Sequence, residues 1–158
     1  MSIDPRFERS ILAEFALRER RARRREGSHS PRALAKRLHG GRGELVSHLR
    51  RVAHAVPRRF RAVAWLHHAH EADVTARALV AAGLTKDERT ALTLLAAPRP
   101  DQGSVLRCVR ALSKAPGAPG YLARVVARAA IEDRLGGAPP TGETLTALRL
   151  LPDPELTR

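Results

Sequence analysis

The sequence predicts an all-α fold: one helical bundle of about eight or nine helices in a chain of 158 residues. Three observations carry this. Apolar residues recur at three- and four-residue spacing along nearly the whole chain, no segment sustains the alternation of a half-buried strand, and Gly or Pro interrupts the periodic stretches at helix-length intervals. A chain this long buries a core without staples, and its single cysteine, Cys108, excludes an internal disulfide framework or a thiolate zinc site.

The elements follow in order. A first helix is expected from about Arg6 to Arg25, with Phe7, Ile11 and Phe15 on one face and Glu14/Arg18 and Glu19/Arg23 as spaced ion pairs. Ser30 and Pro31 supply a cap and a first-turn proline for a short helix ending at Gly40-Gly41. Leu45, Leu49, Val52 and Val56 form the stripe of the next, and Pro57 opens another carrying Phe60, Val63, Ala64 and Leu66. Thr75 caps a short helix closed by Gly83, and Thr85 with Glu88 fits a capping box for a helix through Leu95. PRPDQG (98–103) reads as a turn. Val105, Val109 and Leu112 mark a helix, with Cys108 in the same apolar stripe, that stops by Pro116-Gly117. A long helix from Tyr121 to Leu135 ends at Gly136-Gly137, and a last one starts near Thr141 and includes Leu145 and Leu148.

The formal charge of +13 concentrates anions near the surface, so a phosphorylated nucleotide or another polyanion is the expected partner, with nucleic acid as an alternative. Lys36, Lys86 and Lys114 are the only lysines among 29 basic residues, an arginine skew that a GC-rich coding sequence also produces. Aromatics at 3% offer few platforms for stacking single-stranded bases. The arginine run at 20–25 either tracks a phosphate backbone or is the solvated end of a helix balanced by Glu19 and Glu26. No apolar run reaches membrane-span length and the start MSIDPRFERS lacks the apolar core of a signal peptide, so a cytoplasmic protein without a membrane partner is expected.

Chemistry concentrates in WLHHAHEADVT (65–75), which places three histidines and two acids among eleven residues. His48 lies three residues after Leu45 and four before Val52, on the buried side of its helix. His67 follows Val63 by four residues, Glu71 lies one turn further on, and Asp133 extends the stripe Leu122, Val126, Ala129. A carboxylate on a buried face needs a partner: a cation shared with the imidazoles is one candidate, and one of the many arginines is another. Inward histidines are likewise either ligands or satisfied core residues. His70-Glu71 begins like a metalloprotease HExxH, but Val74 stands where its second His belongs. GGRG at 40–43 precedes a helix, yet its spacing matches neither a Walker loop nor a dinucleotide fingerprint, so a simple turn competes with a phosphate cradle.

SHLRRVA (47–53), AVAWLHHAHEADVT (62–75), ARALVAAGLTKDERTALTLLA (76–96) and IEDRL (131–135) together resemble the HD-domain metal-dependent phosphohydrolases, closest to the small (p)ppGpp-hydrolase branch. The resemblance implies an HD-like core over 44–137, flanked by Arg-rich N-terminal helices (1–43) and a C-terminal helix and tail (138–158). It assigns His48, His67 and Asp133 to a divalent metal, manganese or zinc, with His68 as a further candidate ligand, and Glu71 to the attacking water. Arg50, Arg51 and Arg128 are the nearby cations expected to neutralise phosphates. Four positions depart from the pattern: His68 replaces the HD aspartate, Ala72 the second acid, Ala130 the late Lys and Gly137 the Asn. A neutral imidazole in place of a carboxylate favours a softer ion such as zinc, or an emptied site. The expectation is a non-catalytic or weakly active relative of nucleotide phosphohydrolases, with an active (p)ppGpp-type phosphohydrolase and a basic nucleic-acid-binding protein as alternatives.

Overall fold

The structure, a computed structural model, describes residues 29–96 and 105–152. Among them are eight α-helices and no strand: α1 (Pro31–His39), α2 (Gly43–Ala55), α3 (Arg61–Leu66), α4 (Ala76–Ala81), α5 (Lys86–Ala96), α6 (Val105–Ser113), α7 (Gly117–Leu135) and α8 (Gly142–Arg149). Short 3-10 turns at Arg58–Phe60 and Ala69–Ala72 bracket α3. The expected first helix, the arginine run and the PRPDQG turn lie outside the described residues.

Local chemistry starts and stops these helices. Ser30 Oγ accepts from the Ala33 N–H at 3.1 Å and Thr75 Oγ1 from the Ala78 N–H at 3.2 Å, each answering a donor that the first turn leaves unpaired. Thr85 and Glu88 close a reciprocal box, with Thr85 N donating to Glu88 Oε2 (2.7 Å) and Glu88 N to Thr85 Oγ1 (3.2 Å). After α4, Gly83 takes φ +86°, so that Gly83 N reaches Val80 O (2.9 Å) and Leu84 N reaches Leu79 O (3.2 Å), the paired bonds of a Schellman end.

α7 is the axis of the bundle. It packs against α2, α3, α5, α6 and α8, while α1 and α2 cover the other side of α3. Leu49, Val52, Val63, Leu66, Val125 and Val126 are fully buried where these helices meet. A smaller cluster of Val109, Ala147 and Leu151 joins α6 to α8.

Three expectations are corrected. α7 begins at Gly117, not Tyr121, because Pro119 sits in the first turn, where its missing N–H costs nothing. Residues 61–72 do not form one helix; α3 ends at Leu66 and the chain tightens into a 3-10 turn, so Glu71 does not continue the α-helical face of His67. Cys108 is only half-buried and Val105 is 40% exposed, so α6 buries just Val109 and Leu112 of its expected stripe.

Candidate metal centre

Two segments deliver three imidazoles to one place. His48 comes from the middle of α2, where Leu49 and Val52 draw its face into the core; His67 and His68 come from the turn after α3, held down by buried Trp65, Leu66 and Ala69. None of the three is more than 8% exposed. One nitrogen of each lies within 4.8 Å of the others, so the trio could hold a metal ion.

The orientation of the rings is the informative part. Nδ1 of His48 meets Asp133 Oδ2 at 2.6 Å, Nδ1 of His67 meets the Ala64 carbonyl oxygen at 2.7 Å, and Nδ1 of His68 meets Glu71 Oε1 at 2.5 Å. A carbonyl or an ionised carboxylate can only accept, so each Nδ1 carries a proton and, whenever the ring is neutral, Nε2 is the atom that keeps its lone pair. Nε2 of His48 and Nε2 of His67 face each other at 3.2 Å. Nε2 of His68 accepts from Arg134 Nη2 at 3.5 Å, as that tautomer requires.

Both carboxylates are themselves anchored. Asp133 accepts Arg51 Nε at 2.6 Å and Nη2 at 3.0 Å, and Glu71 Oε2 accepts Arg42 Nη1 at 2.7 Å. The Arg51 fork holds the Asp133 carboxyl below its ordinary value, outweighing burial, with His48 adding to the effect. Burial pushes Glu71 up, but hydrogen bonds from Arg42 and His68 overcome it and hold the group down at about 2. Both therefore stay anionic acceptors. Burial pushes His67 down to about 3 and lowers His68 as well, so both rings favour the neutral form that binds metals.

The donor set is testable against an ion. Two nitrogens at corners of a tetrahedral zinc site, with Zn–N about 2.0–2.1 Å, stand roughly 3.3 Å apart; His48 and His67 present theirs at 3.2 Å. Three imidazoles, each hydrogen-bonded to an acceptor at Nδ1, make a donor set that could hold a divalent ion.

The expected site residues divide accordingly. His48, His67 and His68 come together. Asp133 and Glu71 reach the centre but sit behind His48 and His68, outside the cluster of candidate ligand atoms. Arg51, expected on phosphate, is spent on Asp133. Arg128 pairs with Glu132 and donates to the carbonyls of Leu148 and Leu151, which ties α7 to the end of α8. Arg50 is exposed on α2.

Sequence reasoning missed Arg42 and Arg134. Arg42 belongs to the GGRG segment, whose role is a turn that aims this side chain at Glu71. Arg134 follows Asp133 directly, a position that could have marked it as a neighbour of the site. No family model, curated protein or solved structure matches the chain. Among the described residues no helix is long and apolar enough to cross a membrane.

Proposed function

We propose that the chain is a metal-binding relative of the HD phosphohydrolases that holds one zinc ion on Nε2 of His48, His67 and His68 and binds a phosphorylated nucleotide beside it. One observation carries this reading: all three Nδ1 atoms are occupied by fixed acceptors, which leaves Nε2 as the ligand atom of each neutral ring, and the Nε2 atoms of His48 and His67 already face each other at 3.2 Å. A core packed only for stability has no need to orient three buried imidazoles alike.

An ion bound there supplies Lewis acidity toward a phosphoryl oxygen and acidifies water. The chain's own contribution to turnover is weak. Glu71, which the resemblance assigns to water activation, has one oxygen on His68 and the other on Arg42, and its depressed pKa makes it a poor proton acceptor near neutral pH. Ala72 and Ala130 supply no substitute. Glu71 and Asp133 act instead as positioning residues for the imidazoles.

Elemental analysis of protein purified without chelator tests the reading. The expected content is about one zinc per chain, lost in His67→Ala, with slow or no release of pyrophosphate from a guanosine polyphosphate. Metal-free wild-type protein that stays metal-free on dialysis against zinc would refute it. Rapid hydrolysis that survives Glu71→Gln would instead assign water activation elsewhere.

A further inference from the structure

We infer that Arg134 and the metal form a joint oxyanion site, so that metal and phosphate bind cooperatively; this rests on the metal reading above. In the pattern the chain resembles, an aspartate occupies position 68 and would bring a negative charge to the ion, whereas His68 is a neutral donor. The two carboxylates behind the imidazoles are each matched by a guanidinium, Asp133 by Arg51 and Glu71 by Arg42.

Arg134 is different. Among the described residues it makes no ion pair; its contact is Nη2 to His68 Nε2 at 3.5 Å, on the nitrogen that the proposed ion would use. Its positive charge bears on both His67 and His68. A divalent ion on three imidazoles beside a guanidinium that makes no ion pair among the described residues is a concentrated positive site, because Asp133 and Glu71 are already matched by Arg51 and Arg42. A tetrahedral oxyanion resolves this, with one oxygen on the ion and another accepting from Arg134, which is exposed on the last turn of α7 and free to swing from His68 onto the incoming group. A terminal phosphate monoester, at two negative charges, meets the requirement better than a diester or a neutral ester.

The test uses full-length protein loaded with cobalt(II), whose visible ligand-field bands report its coordination, and inorganic phosphate as the second ligand. Phosphate should shift the bands saturably and raise the apparent affinity for cobalt. In Arg134→Gln cobalt should bind at least as tightly, since a neighbouring positive charge is gone, while phosphate affinity falls by about tenfold or more. Arg134→Lys should recover part of that loss. A cobalt-loaded protein whose spectrum ignores phosphate, or an Arg134→Gln variant with unchanged phosphate affinity, overturns this inference and leaves the metal reading intact. Failure to take up cobalt at all removes the metal reading and this inference with it.

Discussion

His67 shows how one side chain couples protonation to folding. Its folded pKa of about 3 lies below the ordinary 6.5, so between these values the unfolded chain binds the extra proton and acid favours unfolding. Metal-free protein should therefore lose stability as pH falls below 6.5, by up to about 1.4 kcal/mol per pH unit from this group. His68, also lowered, adds to the loss, and Glu71 contributes a further one only once pH drops under its ordinary 4.5 toward about 2. Urea midpoints at about pH 7.5 and about pH 5 check this; equal midpoints would show that His67 is not held neutral, and His67→Gln should flatten the dependence. Helical spacing made the inward direction of His48 and His67 legible in the sequence. It could not show that Asp133 would choose Arg51, 82 positions away, or that Glu71 would choose Arg42, 29 away, because such pairings are decided by how helices pack.

Helix ends were the most legible elements, because a cap is a local hydrogen bond written within three or four residues. Ser30, Thr75 and the Thr85/Glu88 pair act as their positions imply. The break after Leu66 was not legible: WLHHAHEA keeps helix-forming residues through it, and the tightening reflects the burial of both His67 and His68, which an ideal helix would aim about 100° apart. The early start of α7 has its own device. A Cβ at Gly120 would stand 2.2 Å from the Ala115 carbonyl oxygen, so only glycine lets the chain turn back so closely. Gly120→Ala should cost about 1–3 kcal/mol by forcing backbone apart. Gly136→Ala, at φ +58° with open space around it, should cost about 1 kcal/mol through strain alone. Thermal melts of the two variants separate these effects, and a Gly120→Ala protein as stable as the wild type would contradict the packing of α7 on Ala115.

At the scale of the molecule, the imidazoles do what a larger core would otherwise have to do. They join α2 to the turn after α3, and Asp133 adds the end of α7, all around the fully buried Leu49, Val63 and Leu66. An ion held by the folded chain and not by the unfolded one stabilises by mass action, about 2.7 kcal/mol when free zinc is about a hundredfold above its dissociation constant. Melting temperature should rise with zinc and fall with chelator, and an unchanged melt across both conditions would mean that the three segments are joined without an ion. α2 has a particular place in this arrangement. It carries His48 and Arg51, and Arg42 stands immediately before it, so both arginine-carboxylate-histidine chains are referenced to a single rod. A one-residue insertion between Arg42 and His48 would rotate one reference against the other by about 100°. The spacing along that rod thus works as a gauge length: a change inside it would displace two imidazoles at once while leaving every side chain of the cluster in the sequence.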